Sequence, residues 1–299
     1  MPKISIITTT YRHEKFIAQT IESVLSQTFT DWELLIGDDS PDDATWNIIQ
    51  NYTEKYPEKI KAWHHSPNKG IVGNMNFLLE KVSLESEYIA FLEGDDMYTP
   101  DNLEKRLAIF REMPEVMLVY PQVSLIDAGG NITQKNLYPK PPIPSCEIQG
   151  VYFTCFENGS MIFSYSSGMV RRNILNECRI RNLGDEKNYS VSDWDFYFQC
   201  VTRYLVYYLD ESLVHYRQHS TNLSRGTTNI GTDYLQLIDA YFRMGILQKG
   251  KTLIYCLNPY ISVRFILRAK ILLVIFLPMP IVLYIFKIAY FLFGKKYNA

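Results

Sequence analysis

The chain has 299 residues, room for one large domain or for one domain and an appendage. Hydrophobic residues make up 47% and charged residues 21%, so a sizeable core can form. The formal charge of −2 argues against a nucleic-acid binder, which would show a clustered basic surface.

The run "KISIITTTY" opens the chain as a β-branched, buried strand rather than as a secretory leader. In "HEKFIAQTIESVLSQ" the apolar residues Phe16, Ile17, Ile21, Val24 and Leu25 recur at helical spacing. "WELLIGDD" predicts a second buried strand, "ATWNIIQNYTEKY" a second helix, "IKAWHH" a short strand and "GIVGNMNFLLEKV" a third helix opened by Gly70. "EYIAFLEGDD" is a strand that runs into acids. "TPDNLEKRLAIFREM" reads as a helix with Thr99 as N-cap and Pro100 at its first position, and "EVMLVYPQVSLID" returns to strand. This alternation predicts an α/β fold, a Rossmann-like doubly wound, mostly parallel sheet. Beyond it, "YPKPPIPS" is a Pro-rich surface loop, and order returns with "MIFSYSSGMVRRNIL" and "SDWDFYFQCVTRYLVYYLDESLVHYRQHSTNLS".

Three carboxylates crowd "FLEGDD": Glu93, Asp95 and Asp96. Like charges this close repel and are costly near a core. Either the turn is solvated or a cation belongs there. Asp38 and Asp39 fall at the end of the second strand just as Asp95 and Asp96 follow the fourth, and the first strand ends in Thr8, Thr9, Thr10 and Tyr11. Ligands gather at the carboxyl ends of such strands, so these residues are expected in one crevice. Two acidic pairs at equivalent places weaken the plain reading of each as a turn or cap.

Taken together, "ISIITTTYRHEKFIAQTIESVLSQTFTDWELLIGDDS", "NKGIVGNMNFLL", "EYIAFLEGDDMYTPDNL", "SDWDFYF" and "YRQHSTNLS" resemble the family 2 glycosyltransferases of bacterial surface-polysaccharide type, which have the GT-A fold. The resemblance covers roughly residues 3 to 225. It implies that Thr9 and Tyr11 help hold a nucleotide, that Asp39 accepts the N–H of its base, and that the cluster at 93–96 matches a D-x-D motif. In that motif Asp95 would hold the ribose and Asp96 a divalent metal, Mn²⁺ or Mg²⁺, with His219 approaching the same ion. Asp193 matches the catalytic base. Two positions depart from the pattern: Glu93 stands where the first Asp is usual, and Ser192 replaces an acid before Asp193, which leaves Asp195 as a rival base. Arg12, Lys69 and Arg217 are candidate phosphate contacts.

The implied reaction is an inverting, metal-dependent transfer from a nucleotide-diphosphate sugar, a UDP-sugar in the first instance, to a lipid-linked, oligosaccharide or polysaccharide acceptor. Negative charge builds on the diphosphate as the C1–O bond breaks, and a hard cation on oxygen ligands would stabilise it. One carboxylate base suffices to invert. A catalytically degenerate sugar-nucleotide-binding protein and a nucleotidyltransferase are the alternatives. The second would carry a Gly-rich basic loop after the first strand, which "TTTYRHEKF" lacks.

Aromatics, at 14% with 22 Tyr, suit cores and sugar clefts alike. Five Cys, with no C-x-x-C spacing, read as reduced and structural. The expected division is a GT-A domain over 1–240 and a C-terminal apolar helical, membrane-associating segment over 241–299. Within it, residues 271–293 hold one charge, Lys287, and a 23-residue helix would run about 35 Å. Pro278 and Pro280 break the run, and Arg264, Arg268, Lys270, Lys295 and Lys296 flank both ends. Basic residues on both sides favour a peripheral or re-entrant anchor on the cytoplasmic face of the inner or plasma membrane, with the membrane surface as a partner.

Overall fold

The computed structural model describes residues 3–137, 146–147, 164–182 and 192–222. Among the described residues ten strands form one sheet: β1 (Ile4–Thr10), β2 (Trp32–Asp38), β3 (Ile60–His64), β4 (Tyr88–Phe91), β5 (Met97–Tyr98), β6 (Val116–Ile126), β7 (Ile132–Gln134), β8 (Cys146–Glu147), β9 (Met169–Arg171) and β10 (Leu205–Arg217). The described α-helices are α1 (Ile17–Leu25), α2 (Asp43–Lys55), α3 (Gly70–Leu79), α4 (Asn102–Glu112) and α5 (Ser192–Arg203).

The sheet order is β3-β2-β1-β4-β9-β6-β10-β5, with β7 on β6 and β8 on β10. From β3 to β4 all pairs are parallel, as the alternating pattern predicts. All seven residues of β1 and of β2 are buried, which is why neither shows the polar/apolar alternation of a half-exposed strand. The second half is mixed: short β9 runs antiparallel between β4 and β6, while β10 lies parallel to β6. Pro121 sits inside β6 without an N–H to give, and β10 bulges opposite it, its register jumping from Leu209 to Ser212.

Strand order reverses after β3, since β4 returns to the far side of β1. Right-handed crossovers then put α1 and α2 on one face and α3 on the other. The packing agrees: α1 meets α2, and α3 packs on β1 and β2. The reversal makes a crevice outside the carboxyl ends of β1 and β4. A core of strand residues such as Ile6, Leu34, Ile89 and Val119 with helix residues Ile21, Ile49, Leu78 and Leu107 fixes this frame.

Two helices start later than their sequence suggests. α1 begins at Ile17, because residues 11–16 form a turn in which His13 O accepts from Phe16 N and Ile17 N and Arg12 takes φ 56°. α4 begins at Asn102 with Asp101 at its cap; Thr99 is held instead by its N–H on Leu213 O of β10, 3.0 Å, and its Oγ1 on Asp101. No helix among the described residues is long and apolar enough to cross a membrane. The Pro-rich loop at 138–145, the boundary at 240 and the apolar tail lie outside the described residues.

Candidate active site

Acids and histidines meet where β1 and β4 end. Leu92 N donates to Ile7 O and Gly94 N to Thr9 O, at 2.9 and 3.0 Å, so the acid turn continues the β1–β4 pairing past the strand. Gly94 is required by closeness: a Cβ there would lie 2.6 Å from Thr10 Cβ. The chain can therefore carry Glu93, Asp95 and Asp96 across the mouth of β1.

Neighbouring Asp95 and Asp96 have opposite surroundings. Asp95 Oδ2 lies 3.0 Å from His219 Nε2 and 3.8 Å from His13 Nε2. Burial works to raise its carboxyl, but His13 and His219 bring it below the ordinary aspartate value. Asp96 is fully buried and points inward, Oδ1 accepting from Arg217 N at 2.8 Å and Oδ2 from Ser166 Oγ at 2.6 Å. Burial, then the charge of Asp95, pushes its carboxyl well up. Glu93 is pushed well up too, by burial and then by Asp96, Asp95 and Asp193.

One ligand atom each from His13, Asp95 and His219 falls within 4.8 Å of the others, a grouping able to hold a metal ion. His219 Nδ1 rests on Thr221 Oγ1 at 2.9 Å, the partner that fixes a ligating imidazole. Two neighbouring carboxyls pushed up by burial and by the charge of adjacent acids fit a cation as well. Of the expected metal ligands, His219 is in this group and Asp96 is not. Asp95, expected on the ribose, is also in the group, and His13 joins from the turn after β1.

The nucleotide side lies along β1, β2 and α3. Thr9 is buried, while Tyr11 is 46% exposed with the Arg12 guanidinium 5.4 Å from its ring centre. Asp38 is fully buried and Oδ1 accepts from Ser40 N and Oγ. Asp39 sits at the start of α3, Oδ1 accepting from Lys69 N at 3.1 Å, and burial raises its carboxyl. Lys69 contributes that backbone N–H, while its ammonium lies 5.3 Å from the Phe77 ring centre.

α5 sets the two rival bases apart. Asp195 is fully buried and held by Arg181 at 2.7 and 2.9 Å and by Gln199 at 3.1 Å, which makes it a structural anchor. Asp193 is half-buried, takes Trp194 N at 2.8 Å, and its charge reaches Glu93 and Tyr165. Burial raises its carboxyl to about 7. A carboxyl titrating there can take a proton near neutral pH. The charge of Asp193 is thus felt at the acid turn, while Asp195 is engaged by Arg181 and Gln199.

Sequence reading passed over His13, Ser166 and Arg181. His13 stands in a turn with no periodicity to mark it, and Ser166 reaches Asp96 from 70 residues away.

A model of Glycosyl transferase family 2 matches residues 5–178. EpsE of Bacillus subtilis (strain 168), named as a glycosyltransferase, is 27% identical over 237 residues, 79% of this chain and 81% of its own length. TuaG of the same organism, named as a teichuronic acid biosynthesis glycosyltransferase, is 38% identical over 111 residues, 37% of this chain and 43% of its own. Among solved structures, S. aureus TarS 1-349 in complex with UDP-GlcNAc superposes with a TM-score of 0.61 at 16% identity, covering 85% of this chain and 70% of that one.

Proposed function

The chain belongs to glycosyl transferase family 2 and is a glycosyltransferase; from that premise we propose that it inverts the anomeric centre of a UDP-sugar, with a divalent cation, while transferring the sugar to a lipid-linked or polysaccharide acceptor. The observation that carries this reading is the His13–Asp95–His219 group on the acid turn, with the charge of Asp193 bearing on Glu93 of that same turn. The UDP-GlcNAc bound to TarS and the teichuronic acid named for TuaG support the donor and the acceptor class.

His13, Asp95 and His219 would hold Mn²⁺ or Mg²⁺. When bound, the ion offsets charge on the departing diphosphate. Two imidazoles and one carboxylate suit Mn²⁺ better than Mg²⁺, which prefers oxygen ligands. The exposed face of Tyr11 would take the nucleobase by stacking, beside Thr9. Asp39 would accept the base N–H on the oxygen not engaged by Lys69. Glu93, driven toward its protonated form, would donate to a sugar or ribose oxygen.

Asp193 would accept the acceptor hydroxyl's proton as that oxygen attacks C1. A base near pH 7 balances the fraction ionised against the strength of proton transfer. A single displacement, with the acceptor oxygen attacking opposite the leaving diphosphate, would leave the anomeric configuration inverted. The C-terminal tail, beyond the residues described, would hold the enzyme at the cytoplasmic face of the membrane, where such an acceptor is met.

The test is mass spectrometry of products after incubation with a panel of nucleotide sugars, with Mn²⁺, Mg²⁺ or EDTA. Transfer or slow hydrolysis of a UDP-sugar in Mn²⁺, lost in EDTA, is expected. Binding of UDP-sugars with neither reaction under any condition would leave the degenerate binding protein as the reading.

A further inference from the structure

We propose that Arg217 is the positioning residue that fixes Asp95 and His219 relative to one another and so sets the cation affinity of the site; this rests on the cation reading above. Its sequence context suggested a phosphate contact, but the guanidinium is wholly buried behind the acid turn. Nε donates to Asp95 O at 2.7 Å. Nη1 donates to Asp127 O and Ala128 O at 3.2 and 3.1 Å, and Nη2 to Gln19 Oε1 at 2.7 Å. Its backbone N–H holds Asp96 Oδ1 at 2.8 Å, and its carbonyl accepts from Asn222 Nδ2 at 2.9 Å.

Arg217 therefore joins four segments: the acid turn, α1, the β6–β7 turn, and the loop that carries His219. Asn222 completes the circuit, since its Oδ1 accepts from His219 N and its Nδ2 lies 3.4 Å from Asp95 Oδ2. Phe16 closes the space between, its ring centre 5.0 Å from the guanidinium carbon and 4.5 Å from the His219 ring. The planar fork matters here. A lysine keeps the charge, but its compact ammonium cannot span acceptors spread over three separate nitrogens of a planar fork. Partners that orient metal ligands typically change affinity 10–100-fold when removed.

The test uses the full chain and Mn²⁺, with free ion read by electron paramagnetic resonance, with and without UDP, well below the melting temperature. Arg217→Lys is expected to weaken Mn²⁺ binding about 10–100-fold. Gln19→Leu, an exposed α1 change that removes only the Nη2 partner, should weaken it in the same direction by less. Leu107→Ala, buried in α4, should lower the melting temperature and leave Mn²⁺ affinity as in the native protein, which separates positioning from loss of stability. Native affinity in both Arg217→Lys and Gln19→Leu would overturn the proposal. If Arg217→Lys does not fold, Gln19→Leu decides alone, and unchanged affinity there overturns it. Native protein that transfers sugar in EDTA and binds no Mn²⁺ overturns the cation reading itself, a distinguishable result, and the inference falls with it.

Discussion

Replacing Asp193 by Asn should make the protein more stable and nearly inactive at once. Burial moves this carboxyl from 3.8, the ordinary aspartate value, to about 7. Its ionised form is thus disfavoured in the folded state by at most about 4 kcal/mol. Solvent at a half-buried side chain screens the charge, and about 2 kcal/mol is the better expectation. The sign follows from proton counting. Between pH 4 and 7 the folded protein holds a proton at Asp193 that the unfolded chain has released. Stability therefore falls as pH rises through that window and levels off above it. Asn carries no such penalty, so its advantage over the native residue should be absent near pH 4 and full by pH 8. Urea denaturation of both proteins at pH 4, 6 and 8 measures this, and transfer assays alongside should show a loss of about 10²–10⁴-fold. Asp195→Asn is the opposite control: breaking the pair with Arg181 should cost stability at pH 8 and leave most of the transfer rate. Equal stability of Asp193→Asn and native protein at pH 8 would refute the strained carboxylate. Full activity in Asp193→Asn would refute the base.

Asp95→Asn should abolish Mn²⁺ binding with little change in melting temperature. Asp96→Ala should do the reverse in emphasis, losing about 2–4 kcal/mol by orphaning Arg217 N and Ser166 Oγ, as calorimetry with and without Mn²⁺ would show. Asp39→Ala should raise the donor KM and leave kcat largely intact, because a base contact is equal in ground and transition states; a kcat loss at saturating donor with unchanged KM would contradict that. Deleting residues 264–299 should release the protein from membrane pellets while transfer to a soluble acceptor analogue persists, and retention in the pellet would place the anchor elsewhere.

Strands β1, β2 and β4 of the parallel half were legible because each is buried along its whole length and is rich in β-branched or apolar residues. The acidic pairs fell after the apolar stretches of β2 and β4 as expected, although Asp38 and Asp96 are themselves buried. What could not be read was direction within a pair. Whether Asp95 or Asp96 faces the crevice is decided by Arg217 N, 121 residues away, and Ser166, 70 away, which no local pattern carries. β9 escaped notice because three residues are too few to show alternation. Asp195 was a fair rival to Asp193 by spacing; full burial and the contacts with Arg181 and Gln199 separate them.

The antiparallel insertion of β9 between β4 and β6 also governs when the site can exist. β4 cannot gain its second neighbour until residues 169–171 arrive, and Arg217 and His219 lie later still in the chain. Pairings this distant are slow to form, because loop closure must precede any gain from contact. During synthesis the acid turn therefore emerges long before its buried arginine at the end of β10 and the histidine, His219, that follows that strand. In refolding, far-UV circular dichroism should recover first and Mn²⁺ affinity last, a lag that measures the time the two halves of the sheet need to find each other.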